Sequence, residues 1–230
     1  NVLRSSKPAM VWIESPTNPL LKVIDIEAVC SVAREFAIPV VVDNTFATAL
    51  VQRPLELGAT LSLTSTTKYI NGHSDALGGA VSTNDTDWHQ KMVFSQKALG
   101  LQPSPFDSWL ITRGIKTLPL RLKQQMANAA ALADQLALHP KVAWVRYPHR
   151  NDHPQHALAQ RQMKGGGAIV TVSFQANQEQ TYRLCKQLNW FTMAESLGGI
   201  ESLICHPATM THAAVSTEVK AKLGIDDGLV

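Results

Sequence analysis

The sequence predicts an α/β protein with a mainly parallel sheet, followed by a smaller α+β unit, and three observations predict it. Short apolar runs alternate with segments of helical spacing over the first eighty residues, the signature of strand–helix–strand units. The run V-V-V over 40–42 is continuously apolar and β-branched, as in a strand covered on both faces. Beyond about residue 104 the texture changes to long helical stretches with short strands after them.

In chain order, A-M-V-W-I-E ending at Glu14 reads as a strand closed by the turn cluster S-P-T-N-P. Residues 25–36 place apolar side chains at helical spacing behind Asp25, a helix start signal. I-P-V-V-V-D reads as the next strand, ending at Asp43. L-E-L-G-A-T-L-S-L-T, ending at Thr64, reads as a helix end, a glycine stop and a third strand; G-G-A-V-S over 78–82 suggests one more. From Ser104 to Leu138 a long helical pattern is interrupted by Gly114 and Pro119, which predicts a kink or two consecutive helices. Strands near 142–147, 168–174 and 202–205 and a helix near 179–188 complete the second unit. The boundary is placed near residue 122, giving units of 1–122 and 123–230.

The 230 residues are 45% apolar and 17% charged, enough for a sizeable buried core. The net charge of +3 comes from scattered basic residues, so nucleic-acid and membrane-surface binding are not indicated. No apolar run approaches the roughly 20 residues needed to span a bilayer. Cys30, Cys185 and Cys205 are an odd number at wide spacing with no CxxC pair, which reads as reduced thiols in a cytoplasmic protein. The chain opens without an initiator methionine and stops just after G-I-D-D-G, where a new apolar strand begins, so it is expected to be the middle of a longer protein.

The chemistry centres on L-S-L-T-S-T-T-K-Y over 61–69. In open α/β sheets ligands sit beyond the carboxyl ends of the strands, and Lys68 lies just past one such end. Small hydroxyl side chains there suit a phosphate; the lysine beside them is either an electrostatic clamp or a nucleophilic amine that forms a Schiff base. Asp43, directly after three valines, falls on the same edge. A Mg-ATP site would pair that aspartate with a metal but would also want G-x-x-x-x-G-K-[ST], which is absent. Pyridoxal phosphate accounts for all three features: Lys68 for its aldehyde, Ser65 and Thr67 for its phosphate, and Asp43 for its protonated ring nitrogen.

Five separated motifs then carry a resemblance. E-S-P-T-N-P over 14–19, V-D-N-T-F over 42–46, S-T-T-K-Y over 65–69, G-H-S-D over 72–75 and S-L-G-G over 196–199 resemble, in order and spacing, the Cys/Met-metabolism family of pyridoxal-phosphate enzymes. The resemblance implies an aspartate-aminotransferase-like fold (fold type I) and a homotetramer built from two dimers. It assigns Lys68 to the Schiff base, Asp43 to the pyridine nitrogen, and Ser65 and Thr67 to the phosphate. Asn18 would lie near the cofactor's phenolic oxygen and the substrate carboxylate, which Ser196 would help to hold. Tyr69 receives no role from it. The family's glycine-containing phosphate loop, with its ring-stacking tyrosine, and a Tyr-x-Arg pair would precede Asn1; its carboxylate-binding arginine would follow Val230.

The same resemblance implies the reaction. Glu195 before S-L-G-G, with T-M-T-H-A over 209–213, resembles the γ-synthase and γ-lyase branches more than the β-lyases, in which tryptophan usually replaces Leu197 and Glu195 is lacking. The implied activity is γ-replacement: cysteine displaces the acyl group of O-succinylhomoserine, or another O-acylhomoserine, to give cystathionine. Glu195 joins Ser196 and Asn18 as a substrate-side candidate. γ-Elimination is the alternative, and an inactive relative serving only as an oligomerisation module is a second.

Other features read as structural. His149, His153 and His156 lie in a Pro-containing polar stretch with no Cys or Glu to complete a metal set, and read as solvated loop histidines. G-G-G over 165–167 reads as a turn. His73 and Asp75 are expected to fix the Lys68 loop by hydrogen bonds, His206 and His212 to be satisfied core groups, and Cys205 to be a buried thiol.

Overall fold

In this computed structural model, which describes residues 2–230, nine helices and eight strands are distinguished: α1 (Val2–Ser6), β1 (Val11–Glu14), α2 (Ile26–Arg34), β2 (Val40–Asp43), α3 (Thr48–Val51), β3 (Leu61–Ser65), β4 (Gly79–Ser82), α4 (Thr86–Leu99), α5 (Pro105–Ile115), α6 (Leu118–Ala137), β5 (Val142–Arg146), α7 (His156–Gln162), β6 (Thr171–Phe174), α8 (Gln178–Gln187), β7 (Thr192–Met193), β8 (Leu203–Ile204) and α9 (Thr217–Leu223). Strands β1 to β3 run parallel, with Glu14 opposite Asp43 and Asp43 opposite Leu63. β4 closes the sheet antiparallel to β3.

The parallel strands form because their side chains are covered. Val40, Val41 and Val42 are all buried, with Val40 and Val42 in a cluster with Ile26, Cys30 and Ala33 of α2. Each such side chain contributes about 1.5–3 kcal/mol relative to exposure. α2 starts where Asp25 accepts from the Ala28 N–H at 3.0 Å. The segment over 54–58, expected to end a helix, is a turn instead: Pro54 pins its start, and its carbonyl takes the N–H groups of Leu57 and Ala59.

The interruption at Gly114 and Pro119 produces two helices, α5 and α6. Pro119 sits in the first turn of α6, where its missing N–H costs nothing. α6 is shared between two cores. Its Leu118 and Leu122 pack with Val23, Tyr69, Ala159 and Met163; its Ala129 and Ala133 pack with Val145, Tyr147 and Val172 beneath β5 and β6. The apolar end of the chain pairs with β6, as expected of a strand: Val172 and Val230 exchange N–H···O bonds at 3.0 and 2.9 Å, and Leu229 is buried.

Five helices were not expected, among them α1 and α3, which are only five and four residues long. α4 buries no residue, so it carries no apolar stripe; its ends are set by the Asp85 cap and by Gly100. α7 and α9 are seven residues each, too short for their periodicity to show. The histidines before α7 are also a correction. His153 is 4% exposed and ring nitrogens of His149 and His156 are buried, because the loop folds inward against the Leu21 segment rather than into solvent. No metal-ligating group of three occurs among the described residues.

Candidate cofactor site

The site is built at the carboxyl edge of β1, β2 and β3. Beyond Ser65 the chain makes a single wide turn over Thr66–Ile70, in which the Asn71 N–H reaches the Thr66 carbonyl at 2.9 Å. Lys68 departs from helical dihedrals in the middle of it, at φ −88° and ψ −125°. The Gly72 N–H closes on the Lys68 carbonyl at 2.8 Å, and the Thr66 N–H on the Gly78 carbonyl at 2.9 Å. Tyr69 is the anchor, 2% exposed among the core side chains of α6 and α7. Burial pushes its phenol far above the ordinary range, so the ring serves packing.

Asp43 and Ser65 are joined through Thr45. The Asp43 carboxylate oxygen Oδ1 accepts from the Thr45 N–H at 3.0 Å and the Thr45 hydroxyl at 2.6 Å, and the Thr45 oxygen accepts from the Ser65 N–H at 2.9 Å. One carboxylate oxygen is thereby committed and the carboxylate is oriented. On the neighbouring strand end Glu14 is raised above the usual carboxylate range, first by burial and then, in the same direction, by the Asp43 charge; the Asn18 N–H opposes both. Asn18 itself is exposed, its N–H donating to Glu14 Oε2 at 3.2 Å.

The second wall comes from the loop after β7. Lys68 Nζ donates to Ser196 Oγ at 3.1 Å across 128 residues of sequence. Ser196 holds φ at 136°, a conformation side chains rarely adopt, at a cost of about 1–3 kcal/mol. Strain of this kind persists where surroundings over-determine it, and they do: a Cβ on Gly198, at φ 78°, would meet the Tyr69 nitrogen at 2.6 Å and the Lys68 carbonyl carbon at 3.0 Å. Loop and turn therefore touch through bare backbone. Glu195 is exposed and lies near the Cys205 thiol. Burial pushes that thiol up, the Thr211 hydroxyl opposes, and Glu195 adds to the rise. Cys205 is half-buried and Cys185 buried, the latter's thiol pushed up to about 11 by burial, so both are inert.

Lys68, Asp43 and Ser65 thus share one edge, with Thr67 beside them and Ser196 facing Lys68. Thr67 is more committed than expected: its oxygen accepts from the Gly78 N–H at 3.0 Å and its hydroxyl points to the Gly78 carbonyl at 3.3 Å. The second of these is long enough to be exchanged for a better acceptor. The Ser65 hydroxyl makes no hydrogen bond to another described residue. An amine, a hydroxyl ready to donate, and an oriented carboxylate with one oxygen to spare form a donor set that fits pyridoxal phosphate. His73 and Asp75 do bind the turn's exit: His73 Nδ1–H donates to the Asn71 carbonyl at 2.8 Å, and Asn71 Nδ2 donates to Asp75 at 2.8 Å. His206 is buried and satisfied by Thr209 and the Asp227 carbonyl, whereas His212 is only half-buried.

Sequence reasoning missed Thr45, Arg121 and Gly198. Thr45 lay inside a quoted motif, two residues from Asp43, and an Asp-x-Thr turn was the available signal. Arg121, whose guanidinium reaches the Tyr69 carbonyl at 3.0 Å across 52 residues, carried no local signal; Gly198 lay inside the quoted S-L-G-G motif, but its contact with the Lys68 turn was not read from it.

The Cys/Met metabolism PLP-dependent enzyme family pattern matches residues 2–230. The chain is 44% identical over 227 residues to a cystathionine beta-lyase of Coxiella burnetii, covering 98% of this chain and 59% of the relative. It is 47% identical over 226 residues to a cystathionine gamma-lyase of Dictyostelium discoideum, covering 98% and 58%. The crystal structure of cystathionine gamma synthase from Xanthomonas oryzae pv. oryzae in complex with aminoacrylate and cysteine superposes with a TM-score of 0.95 at 48% identity, covering 98% of this chain and 58% of that one. The chain therefore spans less than three-fifths of the length of these relatives, and their three names carry three different reactions.

Proposed function

The chain belongs to the Cys/Met metabolism PLP-dependent enzyme family, and on that premise we propose that its protein catalyses γ-replacement, joining cysteine to an O-acylhomoserine, O-succinylhomoserine first, to give cystathionine and the free acid. The observation that carries the proposal is the 3.1 Å contact of Lys68 Nζ with Ser196 Oγ at the sheet edge that also holds Asp43. When bound, pyridoxal phosphate supplies an electron sink that makes the substrate's Cα and Cβ protons acidic. Lys68 Nζ would hold the cofactor's aldehyde group and, when free, would move protons at the substrate's Cα and Cβ. Asp43 would offer its uncommitted oxygen to the cofactor's ring nitrogen, with Thr45 keeping the carboxylate from turning. Ser65 and Thr67 would hold its phosphate. Ser196 and Asn18 bind the substrate carboxylate, and Glu195 stands at the entrance one residue away.

γ-Elimination by the same residues is the second reading, favoured by the 47% identity to a relative named for it. The assembly is proposed to be a homotetramer in the cytoplasm. Exposed apolar side chains on α4 and α5, Phe94 at 73%, Phe106 at 65% and Trp109 at 58%, support an assembly. No helix is long and apolar enough to cross a membrane. The division near residue 122 would make α6 the shared wall of the two units.

The test is borohydride reduction after addition of pyridoxal phosphate, with peptide mapping, followed by assay with O-succinylhomoserine with and without cysteine. A pyridoxyl group on Lys68 and cysteine-dependent cystathionine are expected. 2-Oxobutyrate formed equally with and without cysteine would replace synthase by lyase; label spread over surface lysines would remove the cofactor assignment.

A further inference from the structure

Helix α6 touches the turn that carries Lys68 and the loop that carries Ser196, through two side chains one turn apart. Arg121 Nη1 donates to the Tyr69 carbonyl at 3.0 Å, and Nη2 reaches the Ile70 carbonyl at 3.4 Å and the Gly114 carbonyl at 3.0 Å; Nε donates to Thr117 Oγ1 at 3.0 Å. Four of its five N–H groups are thus spent on neutral acceptors, and two of those are the carbonyls immediately following Lys68. Burial lowers the guanidinium's pKa from its usual value, the cost of holding a cation there. The space is reserved for it: a Cβ on Gly72, at φ 73°, would lie 2.0 Å from Nη1.

Gln125 stands four residues on, hence on the same face of the helix. Its Nε2 donates to the Gly199 carbonyl at 2.7 Å, in the loop that carries Ser196. Its Oε1 is buried without a hydrogen-bond partner among the described residues, so the amide holds that carbonyl at a desolvation cost that a solvated glutamine would avoid. The loop is held a second way, by the Ser74 hydroxyl on Glu201 at 3.1 Å.

We infer that Arg121 and Gln125 are positioning residues: α6 acts as a gauge that sets the separation of Lys68 Nζ from Ser196 Oγ, Arg121 fixing the turn and Gln125 fixing the loop. The inference deepens the proposed function and rests on Lys68 and Ser196 facing one substrate. A lysine at 121 would keep the charge but could not span three carbonyls, which a planar fork does. A merely structural pair would instead affect the whole fold together.

The experiment compares wild type with Arg121→Met, Arg121→Lys and Gln125→Met in the full chain. Hydrogen exchange is read without cofactor over residues 64–75 and 192–204, and Lys68 borohydride labelling and KM with it. Arg121→Met is expected to speed exchange over 64–75 by roughly tenfold or more and to slow Lys68 labelling, with β2 unchanged; Arg121→Lys recovers little of either. Gln125→Met is expected to speed exchange over 192–204 only, leaving Lys68 labelling intact and raising KM more than it lowers kcat. Thr117→Val, which removes the Nε acceptor together with the 3.2 Å bond from Thr117 Oγ1 to the Gly114 carbonyl, gives a graded version if Arg121→Met fails to fold. Wild-type protection in both segments for both variants overturns the inference, and so does a uniform loss that includes β2. Failure of wild-type Lys68 to take label overturns the cofactor reading instead, and the exchange pattern still judges α6.

Discussion

The turn that carries Lys68 and the loop that carries Ser196 supply the two ends of one 3.1 Å hydrogen bond. Behind Lys68 stand a parallel strand, a buried tyrosine and a ladder of backbone bonds to Gly78 and Gly72. Behind Ser196 stand two strands of two residues each, a strained φ and side-chain contacts from Gln125 and Ser74. The first side is held mostly by backbone pairing, to Gly78, Gly72 and the neighbouring strand, with Arg121 added across 52 residues; the second is held by side-chain contacts across seventy residues and more. Stiffness is therefore concentrated where covalent chemistry would occur, and the side proposed to face the substrate is the more easily displaced.

That contrast breaks most visibly at Lys68. Lys68→Ala is expected to remove turnover below detection with far-UV circular dichroism unchanged; an active variant with a normal cofactor spectrum would sink the assignment. Asp43→Asn keeps the shape but removes the charge held by Thr45, and should lower kcat by about 10²-fold, the scale of losing one preorganised electrostatic contact. Val42→Ala tests the scaffold alone. The lost methyl groups and the cavity should cost about 2–3 kcal/mol, read as a lower urea midpoint without a change in slope. Ser196→Ala, on the softer side, should raise KM by roughly three- to tenfold, a hydroxyl's worth of binding, and leave the cofactor's absorbance alone. A large kcat loss there would mean that the two sides are equally stiff.

The smallest effect concerns pH. His153 donates from Nε2 to the Leu21 carbonyl at 3.1 Å and accepts the Gln155 N–H at Nδ1 at 3.1 Å, which fixes a neutral ring. Burial depresses its pKa below 6.5, with the Leu21 carbonyl partly opposing. The unfolded chain then binds the extra proton first, so this contribution to stability is complete above about pH 6.5 and is lost as pH falls towards the folded value. His149 is depressed by burial in the same direction. His153→Gln should shrink, without abolishing, the drop in urea midpoint between pH 8 and pH 5.5; an unchanged drop would assign the effect to His149 alone.

Which parts were legible follows from the same contrast. The placement of Asp43, Ser65, Thr67 and Lys68 at one sheet edge was legible because each lies at a strand end or in the residues directly after it. The strands of the sheet were legible too, V-V-V above all. α4 was not, because a helix with no buried face writes no period into the chain. The loop histidines misled because polar composition was taken for solvation, when His153 is polar and buried with both nitrogens occupied. Arg121 was illegible in principle, since one arginine among many gains meaning only from what three-dimensional folding puts against it; Gly198 was marked by its motif, but not the backbone it would meet.

A chain of side-chain amides lies behind the site. Gln52 Nε2 donates to the Ser15 carbonyl at 2.7 Å and to Asn44 Oδ1 at 2.8 Å, and Asn44 Nδ2 returns to the Gln52 carbonyl at 2.8 Å. Gln162, at the end of α7, donates from Nε2 to Gln52 Oε1 at 2.8 Å and accepts the Ile26 N–H at 3.1 Å. Each amide is read in one orientation only, since turning any of them over would set donor against donor. α7 is thereby keyed to the sheet although it arrives more than a hundred residues later in the chain.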